Sequence, residues 1–205
     1  MKKYLCGARS LAAALLVLSV LILGVQSPAQ AGLTLTLDDG TNPVITVADT
    51  DNDGYVYYSG AIGNWIMNLS GGFSVGNLMD LVSGNVSSSA GGTMTVTLTD
   101  TDFSDLSSFH VGGTTGGSVT FNLYNDSNLV ASYTGDTPSF STDIASLTST
   151  GSITEIEAVI IHEGSAMSSF DANVVQNPVP VPAAFWLLGS GLMGLIGIRR
   201  RGARG

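Results

Sequence analysis

Between Gly32 and Asn177 apolar and polar residues exchange places at every second position. Leu33, Leu35 and Leu37 alternate with Thr34 and Thr36, and Met94, Val96 and Leu98 alternate with Thr93, Thr95, Thr97 and Thr99. Val119, Phe121 and Leu123 alternate with Thr120 and Asn122, and Phe170, Ala172 and Val174 with Asp171 and Asn173. Neighbouring side chains of a strand point to opposite faces, so each run predicts a strand with one dry and one wet face. Further strands are expected at Val44–Val47, Tyr55–Tyr58, Trp65–Leu69, Leu129–Tyr133 and Ile153–Ile161. Turn chemistry separates them at Asp39-Gly40, Asp53-Gly54, Gly71-Gly72, Gly91-Gly92, Gly112-Gly113, Gly116-Gly117 and Gly135-Asp136. Only Phe73–Val86 and Ser141–Leu147 carry a spacing that allows a short helical turn. The pattern predicts one all-β domain over 32–177, an antiparallel β-sandwich of about eight to ten strands.

The two ends read differently. Lys2, Lys3 and Arg9 precede an apolar run from Leu11 to Val25, and Ala29-Gln30-Ala31 is a small-x-small cleavage site. Residues 1–31 are therefore expected to be a secretory signal peptide, cut after Ala31. Cys6 lies before the apolar run, whereas a lipidated cysteine follows one. With the signal removed no cysteine remains, so an exported body must be held by its own core. At the other end Pro178, Pro180 and Pro182 alternate with valine, and an uncharged run of 16 residues follows from Ala183 to Ile198. The prolines predict an extended segment. As a helix the run would span about 24 Å, somewhat short of a hydrocarbon core of about 30 Å. Trp186 at one end and Arg199, Arg200 and Arg201 at the other can complete the crossing at the interfaces. The arginines hold their end in the cytoplasm, which places the body outside it.

This tail resembles a PEP-CTERM sorting signal, the tail of bacterial proteins handed to an exosortase. Pro180-Val181-Pro182 stands for the proline box, and Trp186-Leu187-Leu188-Gly189-Ser190-Gly191-Leu192 for the start of the short helix. Arg199–Arg201 stands for the terminal basic cluster, while Val181 occupies the place of the family's usual glutamate. The resemblance implies recognition of Pro178, Pro180, Pro182, Trp186, Gly189, Gly191, Arg199, Arg200 and Arg201 by an exosortase-like protease. It also implies a transient inner-membrane anchor and a final place at the cell surface or in the extracellular matrix. An unprocessed single-pass anchor is the plainer alternative. Ile45–Trp65 resembles segments common in ectodomains that carry such tails, with no activity attached. Gly189-Ser-Gly191-Leu-Met-Gly194 fits a nucleotide-binding fingerprint, but no strand precedes it and no acidic residue follows it.

Charge narrows the functions of the body. All 16 Asp and Glu lie between Asp38 and Asp171, and none of the seven Lys and Arg lies between Gly32 and Pro182. A cation-free body has nothing with which to contact phosphates, which excludes nucleic acid as a partner. It also has no lysine for a Schiff base and no arginine to clamp a carboxylate.

Candidate chemistry is sparse. Asp49, Asp51 and Asp53 precede Gly54 with the spacing of the first half of a calcium loop, and the Tyr55 carbonyl would follow as a ligand. Position 12 of such a loop is Gly60 rather than glutamate, so a closing carboxylate would have to come from Asp38 or Asp39. A solvated acidic turn accounts for the same residues. Asp100, Asp102 and Asp105 read as a loop, and Glu155 and Glu157 as an acidic strand face rather than a glycosidase pair. His110 and His162 lack the spacing of a zinc site. Trp65, Tyr55, Tyr57, Tyr58 and Tyr133 could form a sugar-stacking platform; Tyr57 and Tyr58 point to opposite strand faces, so at most one of them joins Tyr55, and Trp65 is expected in the core. The expected role is therefore structural or adhesive within exopolysaccharide or biofilm, and not enzymatic. The alternative is a calcium-assisted carbohydrate-binding module, with calcium the only candidate cofactor.

Overall fold

The computed structural model describes residues 32–149 and 151–177, so the expected signal peptide and sorting tail lie outside the described residues. Two six-stranded antiparallel sheets face each other. One has the order β2-β1-β6-β11-β8-β9, formed by β1 (Thr34–Asp38), β2 (Ile45–Ala48), β6 (Gly92–Asp100), β8 (Ser118–Asn125), β9 (Asn128–Gly135) and β11 (Thr154–His162). The second has the order β10-β7-β12-β5-β4-β3. Its strands are β3 (Tyr55–Ile62), β4 (Trp65–Val75), β5 (Leu78–Ser88), β7 (Leu106–Thr115), β10 (Ser139–Ala145) and β12 (Ala166–Gln176). The expected all-β sandwich is thus present, with strands that run longer and more numerous than the alternation alone suggested.

Two of the three additional strands, β5 and β10, occupy the stretches where a helical turn was allowed, and both of those expectations are corrected. The third, β7, runs through Gly112-Gly113, and β4 through Gly71-Gly72, so neither glycine pair forms the expected turn. In Phe73–Val86 the apolar residues Val75, Leu78, Met79, Leu81 and Val82 mimic helical spacing. Gly76 and Asn77 cut the run in two: Val75 pairs with Leu78 across a two-residue turn, with Gly76 at φ 66°. A positive φ at the first turn residue matches the right-handed twist of the flanking strands, and glycine adopts it freely. Beyond the turn Met79 and Leu81 are buried, while Asp80 and Val82 face outward. Ser141–Leu147 falls mostly in β10, an edge strand paired with β7.

The inward positions of both sheets form one apolar layer. Leu35, Leu37, Val96, Leu98, Phe121, Leu123, Ile156 and Ile160 come from the first sheet; Met79, Leu81, Phe109, Val111 and Val174 come from the second. Each such side chain contributes roughly 1.5–3 kcal/mol when fully buried. Trp65 is buried as expected, its ring centroid 5.0 Å from that of His162.

One end of this layer is polar and internally satisfied. His162 of β11 lies between Ser88 of β5 and Ser168 of β12, with Nδ1 2.9 Å from Ser88 Oγ and Nε2 2.8 Å from Ser168 Oγ. The directions follow from the ends. Ser88 Oγ donates to the Gly164 carbonyl at 3.0 Å, so it accepts from Nδ1–H, and Nε2 accepts from Ser168. Ser168 then accepts from the Thr115 hydroxyl at 2.8 Å, which itself accepts from the Gly117 amide at 3.0 Å. The chain of donors runs one way, from a backbone N–H to a backbone C=O, and it requires neutral His162 protonated on Nδ1. Burial pushes the His162 pKa below its ordinary value.

The β8–β9 turn carries local strain. Asn125 pairs with Asn128, and the two residues between them, Asp126 and Ser127, both have positive φ (47° and 64°). This geometry favours Asn-Gly, and here neither position is glycine. The Asp126 carboxylate compensates by accepting from the amides of Ser152 (3.2 Å) and Ile153 (2.9 Å).

Two outcomes follow. Ser127→Gly should stabilise the domain by about 1 kcal/mol, read as a higher urea midpoint at unchanged m-value. Because the folded pKa of His162 is depressed, its stabilising contribution is complete above about pH 6.5. It declines as pH falls below that value towards the depressed folded pKa. His162→Gln should lower stability at pH 8 and flatten the slope of stability with pH between 7 and 5; an unchanged slope would contradict this account.

Candidate functional site

The acidic turn that the sequence singles out joins β2 to the edge strand β3. Asp49 is tied to β1 through its amide, which donates to the Leu33 carbonyl at 3.0 Å. Its carboxylate accepts from the amides of Asp53 (3.2 Å) and Gly54 (2.8 Å), and Asp53 Oδ1 accepts from the Tyr55 amide at 2.9 Å. Asn52 (φ 59°) and Gly54 (φ 83°) give the turn its curl. A Cβ on Gly54 would approach the Ser74 carbonyl to 2.9 Å, so only glycine fits there. Desolvation raises the pKa of Asp49, but hydrogen bonds, that from the Gly54 amide foremost and those from the Asn52 and Asp53 amides after it, outweigh it and hold the carboxyl below its ordinary value.

Carboxylate oxygens of Asp49, Asp51 and Asp53 come within 4.8 Å of one another, Asp49 half-buried and the other two exposed. Three hard oxygen donors of this kind suit calcium. The Tyr55 amide is turned to Asp53 rather than to β4, and a strand residue's N–H and C=O point the same way. The Tyr55 carbonyl therefore points away from β4, towards the open edge. Asp38 and Asp39 do not close the site. Asp38 accepts from the Gly40 amide at 2.7 Å, and Asp39 accepts from Thr41 and Asn42. Asp39 also lies against Gly63, at the far end of β3 from Tyr55. Among the described residues the group gathers three carboxylates.

The other candidates separate. Asp100 is buried and accepts from the Asp102 amide at 2.9 Å, while Asp105 bonds Asn177 at the end of β12, which makes this acidic stretch a structural loop. Glu155 and Glu157 share the outer face of the first sheet, where Glu157 accepts from Asn122 at 2.8 Å. Burial, then the neighbouring Glu157, raises the Glu155 pKa. His110 lies on the outer face of the second sheet and His162 between the sheets, so they share no metal site.

Strand pairing creates a second candidate that the sequence does not display. On the outer face of the second sheet, Tyr55, Phe73, Asp80, Asn173, His110 and Asp143 form one continuous row across six strands. Beside it runs a second row: Tyr57, Gly71, Val82, Asp171, Gly112 and Ser141. Tyr55 and Tyr57 are 55% and 71% exposed, and Tyr55 leans on Phe73 with ring centroids 5.7 Å apart. His110 Nδ1 lies 2.7 Å from Asp143 Oδ1. Burial, then repulsion from Asp171, raises the Asp80 pKa to about 6, against an opposing pull from His110. One Asp80 oxygen is covered yet accepts no hydrogen bond from the described residues. Alternation in β12 gives Asp171 and Asn173 a wet face, but β5 and β7 are not among the strands expected from the sequence, and the partners across the row depend on sheet order, which alternation does not encode.

No curated protein is significantly similar to the sequence. Among solved structures the chain is similar to TmCBM61 in complex with beta-1,4-galactotriose, at 6% identity over 70% of this chain and 88% of that one, with a TM-score of 0.39. It is also similar to the CBM36-1 domain of a multidomain xylanase from the hindgut metagenome of Trinervitermes trinervoides (13% identity, 72% and 99% covered, TM-score 0.33). The PA14 sugar-binding domain from an RTX adhesin is a third (13% identity, 70% and 90% covered, TM-score 0.35). At these scores nothing about ligand or site is carried over. The model of the PEP-CTERM protein-sorting motif matches residues 178–201, which include the prolines, Trp186, Gly189, Gly191 and the arginines named above. Residues 178–201 are a PEP-CTERM protein-sorting motif.

Proposed function

We propose that this chain is an exported precursor whose sorting tail delivers a β-sandwich to the cell surface or the extracellular polymer matrix, where its role is structural or adhesive. The observation that carries the reading is the sorting motif at residues 178–201. The charge pattern supports it: every basic residue lies near an end, and the sandwich between them is wholly acidic. On this reading residues 1–31 are removed after Ala31, and the run from Ala183 to Ile198 holds the precursor in the inner membrane. An exosortase-like protease then cuts near Pro180–Pro182 and supplies the nucleophile. On this reading the sandwich contributes recognition of its surroundings rather than catalysis.

Mass spectrometry of the mature protein's C-terminus is the direct test. In cells with the exosortase the last residue should fall near Pro180–Pro182. In cells without it the tail should remain whole and the protein should stay with the inner membrane. An identical, intact C-terminus in both would reduce the chain to an ordinary anchored protein.

A second reading concerns calcium, and the convergence of Asp49, Asp51 and Asp53 favours it. Bound there, the ion would fix the β2–β3 turn and the start of β3, beside Tyr55. Millimolar calcium should raise the melting temperature by a few degrees, as expected for binding to the native state alone, and Asp51→Ala should abolish the shift. No shift at millimolar calcium leaves the turn as solvated acid.

A further inference from the structure

The outer face of the second sheet has a chemistry unlike that of the first. The first sheet presents threonines from β1 and β6, Glu155 and Glu157, and no exposed ring as prominent as Tyr57. The second presents two open tyrosines at one side of the sheet, supported by Phe73, and then a run of acceptors. Same-face neighbours on a strand are about 7 Å apart, and adjacent strands about 4.8 Å. Tyr55 and Tyr57 therefore make a platform wider than one ring, and the row from Tyr55 to Asp143 extends roughly 24 Å across five strand spacings.

Glycine lowers this face on β7, one strand in from the β10 edge. Gly112 stands between Asp171 and Ser141 in the second row without a side chain. It is not in the left-handed region, and a Cβ there would meet His110 Nε2 at 3.5 Å and Ser141 Oγ at 3.8 Å, ordinary contact distances. No steric demand requires glycine at 112, so the open trough is a feature of the surface rather than a need of the fold. Asp80, at the centre of the first row, is a second residue that folding alone does not favour. One of its oxygens is covered without a donor among the described residues, an arrangement that disfavours the ionised carboxylate.

The ligand chemistry follows from the groups present. The face offers carboxylates, an amide and an imidazole, with no lysine or arginine. Such a set accepts hydrogen bonds from hydroxyls and repels polyanions. Aromatic faces stack on apolar C–H surfaces. A ligand that combines C–H faces with many hydroxyl donors and carries no negative charge is a neutral polysaccharide.

We propose that the outer face of the second sheet binds a neutral polysaccharide chain, with Tyr55, Tyr57 and Phe73 stacking on its sugar rings and Asp80, Asn173 and His110 accepting or exchanging hydrogen bonds with its hydroxyls. This rests on the surface-protein reading above and gives the adhesive role a location. The strand of sugars lies across the row and passes over the trough at Gly112.

The test is affinity electrophoresis and pull-down of the full-length protein in mild detergent. The polymers are a mixed-linkage β-glucan, a galactomannan and a xylan, with alginate as polyanion and chitosan as polycation. At least one neutral polymer should bind, with little change between 0.05 and 0.5 M salt. Tyr57→Ala, which removes an exposed ring, and Gly112→Val, which fills the trough while favouring strand, should each weaken binding fivefold or more. Tyr124→Ala on the outer face of the first sheet should leave it unchanged, and circular dichroism should be the same in all three. Silence with every neutral polymer, binding only to chitosan that salt abolishes, or equal binding by Tyr57→Ala and Gly112→Val in folded form would each overturn the assignment. The two readings fail separately. An uncut tail sinks the sorted surface protein, whereas a correctly cut protein that ignores neutral polymers sinks only this face.

Discussion

The two sheets are held together by what lies between them. The described residues contain no cysteine, and the His110–Asp143 contact sits on an outer face. Cohesion between the layers therefore depends on inward-facing apolar side chains from every strand that alternates, and on the single polar chain through His162. That chain connects β5, β7, β11 and β12, so it bridges the sheets as well as neighbouring strands. Its direction is fixed by a backbone donor at one end and a backbone acceptor at the other. A buried histidine so arranged has one tautomer and one charge state compatible with its partners.

This interior arrangement determines what the outer faces can do. Because the inward positions are taken by the core, recognition has to be built from the alternate positions, and each sheet therefore presents a distinct surface. On the first sheet those positions are mostly threonine and glutamate. On the second they are tyrosine, phenylalanine, aspartate, asparagine, histidine and glycine. The calcium-suited turn lies at the border of the second face, where the Asp53 carboxylate holds the amide of Tyr55. Turn and platform are thus continuous in the chain and joined by a hydrogen bond.

Much of this was legible in the sequence, for a definite reason. Period-two alternation reports directly on burial, so the strands around Leu35, Val96, Phe121 and Ala172 and the buried place of Trp65 could be read off the chain. The Asp49-Asp51-Asp53 spacing is local, and the structure brings those three together. The β4–β5 hairpin was not legible, because Val75, Leu78, Met79 and Val82 fit a helical spacing until Gly76 and Asn77 are recognised as a two-residue turn. Asp38 and Asp39 look near the acidic turn in sequence, but their carboxylates close the β1–β2 connection instead. The row from Tyr55 to Asp143 joins six strands whose order in the sheet differs from their order in the chain. No local pattern records that order.

The last strand before the tail has a mechanical meaning. β12 is not at an edge: it runs between β7 and β5, bonded along its length to both, and its exit is clasped where the amides of Gln176 and Asn177 donate to Asn77 and Asp105. Any tug on residue 178 is thus directed along a strand gripped on two sides, where many ladder bonds must slip together instead of parting one after another. A body fastened through its interior in this way can be dragged by flow or by a moving polymer without unravelling from its point of attachment.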